Sequence, residues 1–221
     1  MPYKSSSRTS PVARHKIGTQ TLVVATKNKK KLEEIKEILK GFPLSIVSLA
    51  DYPHAPAIIE NGKTFKENAI KKATRIAGFT RTLTMGEDSG LCVQALGGAP
   101  GVRSARFSGK DKSDEKNNQK LLKALKGLPS GKRKARYVCA VALADEHGLL
   151  GVVEGACSGR IGLTPQGEFG FGYDPVFVIP RYRKTFAQLG ANVKHAMSHR
   201  FRALCKAKQL IEKYIENRKH G

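Results

Sequence analysis

Along residues 21–40 the apolar positions first run together and then recur at helical spacing. Thr21-Leu22-Val23-Val24-Ala25 reads as a buried strand, because a continuous β-branched run leaves no face for solvent. Leu32, Ile35, Ile38 and Leu39 then fall on one side of a helix that Thr26 or Asn28 can cap and Gly41 ends. Between strand and helix lies the polar turn Thr26-Lys27-Asn28-Lys29-Lys30-Lys31. A strand, a turn and a helix N-terminus aim free backbone N–H groups and the positive end of the helix dipole at one point. With Lys31 beside it, that point suits a phosphate. An ordinary capped helix produces the same pattern. The glycines of a P-loop or a dinucleotide fingerprint are absent.

The pattern then predicts a strand from Leu44 to Leu49 and a Pro-containing loop reaching Glu60-Asn61-Gly62. Thr64-Phe65-Lys66-Glu67 reads as a capping box, opening a helix with Phe65, Ala69, Ala73, Ile76 and Ala77 on one face and Gly78 at its end. The short run Thr82-Leu83-Thr84-Met85 is closed by Gly86-Glu87-Asp88-Ser89-Gly90-Leu91. This reads as a strand end breaking into a glycine-bounded turn, where an α/β protein exposes its chemistry. Glu87 and Asp88 point to opposite faces, so only one need line a cleft. A carboxylate there can hold a hard cation or activate a water. Glu60 is a loop acid, ordinarily solvated, for which a metal-ligand role stays open.

Further on, Gly97-Gly98-Ala99-Pro100-Gly101-Val102 makes a tight loop, and Arg106 beyond it is a candidate phosphate contact. A helix from about Asp114 to Lys126 turns Leu121, Leu122 and Leu125 inward and stops at Gly127. Strands at Ala135 to Ala144 and Leu149 to Ile161, joined at His147-Gly148, suggest an extended antiparallel arm. In Glu168-Phe169-Gly170-Phe171-Gly172-Tyr173-Asp174-Pro175 glycines alternate with aromatics, so the rings either stack on a nucleobase or pack on the core. Pro175 to Pro180 is a short strand fenced by prolines. Ser198 is placed to cap a last helix with Phe201, Leu204, Ile211, Tyr214 and Ile215 inward. His199 and Arg200 then occupy its first turn, where cations oppose the dipole, and this points to an anion or a base edge as their partner.

Composition and charge add to this picture. The chain has 221 residues and carries 40 Lys plus Arg against 18 Asp plus Glu, a net charge of +22, which suggests polyanionic partners. Residues 1–20 hold no acid and read as a disordered basic tail, or as a short targeting peptide, ahead of one domain at 21–221. The cysteines at 92, 139, 157 and 205 form no C-x-x-C pair, which argues for free thiols in a reducing compartment and a cytoplasmic location. No apolar run approaches the ~20 residues that span a bilayer, so no membrane partner is expected.

With these pieces in order, the chain resembles the inosine triphosphate pyrophosphatase family, the XTP/dITP diphosphatases, from about Thr21 to Ile215. Six motifs carry the resemblance: Ala25-Thr26-x-Asn28-x-x-Lys31; Glu60-x-Gly62-x-Thr64-Phe65-x-Glu67-Asn68-Ala69; Asp88-Ser89-Gly90-Leu91; Gly97 to Gly101; Gly170 to Pro175; and Lys194 with Ser198-His199-Arg200. The resemblance implies an α/β fold with a long, twisted, mixed sheet, flanking helices and two lobes around a central cleft. It implies a homodimer and magnesium-dependent hydrolysis of ITP, dITP or XTP to the monophosphate and pyrophosphate, with one Mg2+ per subunit. By the same carry-over Thr26, Lys27, Asn28, Lys29, Lys30 and Lys31 cradle the triphosphate. Asp88 is general base and metal ligand, with Glu60 the second ligand. Ser89 contacts substrate and Lys72 is an active-site lysine. Phe171, Gly172, Tyr173, Asp174, His199 and Arg200 form the purine pocket, and Lys194 reaches the phosphate side.

The chain departs from the family pattern at Lys27, Glu87, Arg103 and Asn192-Val193, the last pair standing where two glutamates are common. Two alternatives remain in view. One is the same fold acting on a modified pyrimidine triphosphate, which the aromatic loop and the His199-Arg200 pair disfavour. The other is nucleic-acid binding, raised by the net charge and disfavoured by the motif series.

Overall fold

The computed structural model describes residues 19–111 and 113–218, so the predicted tail lies outside it up to residue 18. The antiparallel arm is β4 (Lys134–Asp145) and β5 (Gly148–Ile161), paired from Lys134↔Arg160 to Asp145↔Gly148 with one bulge at Leu143/Ala144. Against β4 lies β3 (Thr84–Val93), antiparallel and in register at every position from Thr84↔Ala144 to Val93↔Ala135. This corrects the reading of 86–91 as a strand end. Gly-Glu-Asp-Ser-Gly has poor strand propensity, but pairing along its whole length with β4 overrides that local preference.

On the other side of β3 runs β1 (Gln20–Val24), parallel to it and to β2 (Leu44–Ser48). The short strands β6 (Phe177–Ile179) and β7 (Lys184–Thr185) complete a mixed seven-stranded sheet of order β2-β1-β3-β4-β5-β6-β7. Among the described residues five α-helices flank it: α1 (Lys29–Ile38), α2 (Phe65–Thr80), α3 (Asp114–Ala124), α4 (Phe186–Met197) and α5 (His199–Asn217). One core cluster joins β1, α1, β3, β4 and α5 through Leu22, Ile35, Met85, Val141, Leu204 and Ile211. A second gathers Leu91, Leu121, Leu125, Tyr137, Phe177 and Phe186 at the far end of the arm. A cleft of about 500 Å³ is lined from both ends of the sheet.

Local signals account for most boundaries. Asn28, not Thr26, caps α1, its Oδ1 accepting from the Lys31 N–H at 3.2 Å. Thr64 caps α2, but the Glu67 carboxylate accepts from the Lys63 N–H at 2.8 Å, one residue ahead of the position a capping box would use. α2 passes Gly78 and stops two residues later, before Arg81, whose φ of 51° is left-handed. The pattern missed α4, although Thr185 and Gln188 form a reciprocal capping box at its start. Gly190 inside it has φ 79°, which breaks both the helix and its apolar period.

One glycine sets how closely α2 lies on the sheet. A Cβ on Gly86 would sit 2.1 Å from the Ala69 carbonyl oxygen and 2.5 Å from the Ala73 nitrogen. Both are backbone atoms, so helix and strand would have to separate. Gly86→Ala is therefore expected to cost about 3 kcal/mol, as overpacking does, and to lower Tm by roughly 6–12 °C for a chain of this size. Thermal unfolding followed by circular dichroism checks it. A shift below 2 °C would mean that the α2 contact is slack.

Candidate active site

The turn between β1 and α1 forms one wall of the cleft. Thr26 Oγ1 accepts from the Asn28 N–H at 3.1 Å, and Thr26, Lys27, Asn28 and Lys31 line the cavity. The Asn28 and Lys31 N–H groups are taken by Thr26 Oγ1 and Asn28 Oδ1, and the N–H groups between them have no partner within the helix. Lys29 and Lys30 are exposed and do not line this cavity. The Lys31 ammonium reaches Glu87 Oε2 at 2.8 Å.

β3 forms the floor, and its alternation separates the two acids. Glu87 is buried on the α1 and α5 side, bound to Lys31 and, at 3.2 Å, to Arg200. Burial alone would raise its pKa, but Lys31 and Arg200 hold it well below the usual carboxylate range. Asp88 faces α2. Its Oδ1 lies 3.6 Å from the Lys72 ammonium and its Oδ2 accepts from Asn68 Nδ2 at 2.9 Å. For Asp88, burial wins over Lys72 and its pKa is raised, which makes it a better proton acceptor than a solvated aspartate. Ser89 Oγ accepts from Arg200 Nη2 at 3.1 Å and lines the cleft.

Lys72 is no surface charge. It is buried, donates to the Glu87 carbonyl at 3.1 Å and pairs with Glu60 at 2.8 Å, so Glu60 and Asp88 converge on one point from loop and strand. Burial would lower its pKa, and Asp88 and Glu60 reverse that and raise it. Arg106 Nη2 donates to the Glu60 carbonyl at 3.3 Å, which ties this loop to the opposite side of the cleft. No group of three or more His, Cys, Asp or Glu arranged to hold a metal ion by itself occurs among the described residues. Two carboxylates facing the cleft are a donor set that fits Mg2+, a hard cation bound through one or two carboxylates with waters retained.

The 168–175 loop divides the two readings of its aromatics. Tyr173 is core, its hydroxyl donating to the Ser104 carbonyl at 2.8 Å, whereas Phe169 is exposed and Phe171 is half-buried on the cleft. Asp174 is buried and shapes the loop, accepting from the Phe171 N–H at 2.9 Å and from Lys194 at 2.7 Å. Gly172 donates through its N–H to Asp114 Oδ2 at 2.7 Å. His199 stacks on Tyr137 with centroids 4.6 Å apart, and its Nδ1 is buried without a partner. Burial, then Arg200 and Lys194, push its pKa well below the ordinary value, so the ring is neutral. Arg200 is charged but neutralised by Glu34 and Glu87. The conflict with the dipole of α5 expected from sequence is therefore absent. Of the three Arg200 guanidinium nitrogens Nε alone has no hydrogen-bond partner, and it is buried, while the residue as a whole lines the cleft.

These groups form one buried alternating chain. Asp174 meets Lys194 at 2.7 Å, Lys194 meets Glu34 at 2.7 Å, Glu34 meets Arg200, and Arg200 leads through Glu87 to Lys31. The Lys194 ammonium also lies 4.4 Å from the Phe171 ring centroid, on the side of the cleft formed by the 168–175 loop. Asn192 is exposed and Val193 half-buried, and the partners of Lys194 come from elsewhere in the chain. Sequence reasoning assigned no role to Glu34, Asn68, Asp114 or Tyr137, although Asn68 stands within one of the six motifs. For the first two a signal existed: Glu34 and Asn68 fall on the apolar stripes Lys31-Glu34-Ile35-Ile38 and Phe65-Asn68-Ala69-Lys72.

Comparison with known proteins gives the family and the fold. The family model described as Ham1 family matches residues 22–210. A protein of Desulforamulus reducens named dITP/XTP pyrophosphatase is 47% identical over 192 residues, which span 87% of this chain and 96% of that one. One of the same name from Shouchella clausii is 48% identical over 191 residues, covering 86% and 96%. A solved HAM1 protein from Coxiella burnetii superposes with a TM-score of 0.80 at 36% identity, covering 88% of this chain and all of that one.

Proposed function

The chain belongs to the Ham1 family, and from that membership and its cleft we infer a nucleoside triphosphate pyrophosphatase that hydrolyses non-canonical purine triphosphates to the monophosphate and pyrophosphate. One observation carries this: a single cavity joins the Thr26–Lys31 turn, the Asp88–Lys72–Glu60 group and the Phe171–His199 end. The turn and Lys31 take the triphosphate. Asp88 removes the proton from a water as it adds at the α–β anhydride, and pyrophosphate leaves as the bond to the bridging oxygen breaks. Lys72 offsets the charge that spreads over the phosphate oxygens. Glu60 and Asp88 would hold Mg2+, which when bound neutralises phosphate charge and aligns the anhydride.

The base end supports a 6-keto purine. The unpaired Arg200 Nε–H and the neutral His199 ring offer donors to O6. Adenine would bring a 6-amino donor to the same place and leave those groups unmatched, a costly exchange in a buried site. Phe171 supplies the stacking face. The family resemblance adds a homodimer with one Mg2+ per subunit, and the spacing of the cysteines supports the cytoplasm. Among the described residues no helix is long and apolar enough to cross a membrane.

The test is release of pyrophosphate and orthophosphate from ITP, dITP, XTP and ATP, with and without Mg2+. The expected result is pyrophosphate alone, dependent on Mg2+, with kcat/KM for ITP at least ~100-fold above ATP. No release from any purine triphosphate by folded protein would overturn the reading and favour the pyrimidine alternative.

A further inference from the structure

We infer that Asn68 is a positioning residue, holding the Asp88 carboxylate and the Glu60 loop in one fixed relation. Its side chain is 1% exposed, and both ends of the amide are used. Nδ2 donates to Asp88 Oδ2 at 2.9 Å, and Oδ1 accepts from the Gly62 N–H at 2.8 Å. The chemistry of the partners sets the amide orientation. A backbone N–H can only donate and an ionised carboxylate can only accept, so this bridge needs one acceptor and one donor on a short planar group.

The arrangement divides the work of the two Asp88 oxygens. Oδ2 is held by Asn68, while Oδ1 is left toward Lys72. Asn68 and Lys72 are four residues apart on α2 and so lie one above the other. One helix face thus orients the carboxylate and supplies its counter-charge. The same amide anchors the loop two residues after Glu60. A Cβ at position 62 would lie 2.6 Å from Asn68 Oδ1, so glycine there permits the close approach. Lys72 also pairs with both Glu60 and Asp88, and Arg106 reaches the Glu60 carbonyl, but Asn68 is the residue that hydrogen-bonds the loop backbone and the Asp88 carboxylate at once. None of the triphosphate contacts assigned to the Thr26–Lys31 turn depends on it, so its loss acts on the chemical step and not on binding.

This rests on the proposed pyrophosphatase reading, and Asn68→Asp separates the two. The variant is isosteric: it keeps an acceptor for Gly62 and loses the donor to Asp88. It is expected to lower kcat for ITP by roughly 100-fold, the scale of a misplaced reacting group, with KM within threefold. Asn68→Ala loses both ends. Amide exchange at Gly62, read without substrate, is expected to be slow in wild type and Asn68→Asp and fast in Asn68→Ala. If wild type releases no pyrophosphate, the functional reading falls and takes this inference with it. If wild type is active, the inference alone is overturned by any of three results: Asn68→Asp within threefold of wild-type kcat, a loss confined to KM, or fast Gly62 exchange in the wild type. The last needs no variant to fold.

Discussion

Asp88→Asn is expected to lower kcat for ITP by about 1,000-fold with KM within a few-fold, the middle of the range for removing a positioned general base. The substitution is nearly isosteric and conserves most of the local structure. Asn68 can still donate to the remaining oxygen, and Lys72 keeps Glu60 at 2.8 Å and the Glu87 carbonyl. Fold loss would therefore not explain an inactive variant, and an unchanged Tm is part of the expected result. What disappears is a buried carboxylate whose proton affinity is raised by desolvation while Lys72 keeps it charged. Steady-state pyrophosphate release checks the point. A kcat within tenfold of wild type would move the proton acceptor elsewhere, with Glu60 the next carboxylate facing Lys72.

The apolar pattern made most of the fold legible because most elements are ordinary amphipathic segments. The β1–α1 turn, the α2 face and the β4–β5 arm follow from spacing alone. It failed where tertiary pairing outweighs propensity. Gly86 to Gly90 looks like a turn because glycine and acids disfavour strands, yet β4 pairs it throughout and α2 needs Gly86 for its approach. α4 was hidden because Gly190 interrupts its period.

The candidate site was legible where it is polar and glycine-bounded, and obscure where its residues sit inside apolar stripes. Glu34 reads as one more acid on a basic helix until it is seen on the buried face, and Lys72, named only through the family resemblance, is buried as well. A charged residue at i+3 or i+4 within an apolar stripe is expensive to bury without a partner. That cost was the available signal. What no local signal carries is which partner arrives: Lys194 and Arg200 lie 160 and 166 residues away from Glu34.

Glu34→Ala is the second large effect, and it reports on that buried charge chain. Removing one partner of a buried pair costs roughly 3–5 kcal/mol because the charge left behind stays desolvated. Arg200 keeps Glu87 and Ser89, and Lys194 keeps Asp174, so about 3 kcal/mol is expected, a Tm fall of roughly 6–12 °C. Base recognition should suffer as well, since Arg200 lines the cleft and Glu34 holds one of its nitrogens; KM for ITP is expected to rise more than kcat falls. Burial alone would raise the Glu34 pKa, and Arg200 and Lys194 bring it below its ordinary 4.5. A carboxylate depressed in the folded state stabilises fully above its unfolded pKa and loses that contribution as pH falls through the folded one. The gap between wild type and Glu34→Ala should thus be constant from pH 7 to about 4.5 and close below it. Because the pair is buried, added salt should leave the gap largely unchanged. Chemical denaturation across pH reads all of this. A gap below 1 kcal/mol, or one erased by salt, would make Glu34 a surface ion pair in solution and would remove the support for Arg200 as a fixed donor to the base.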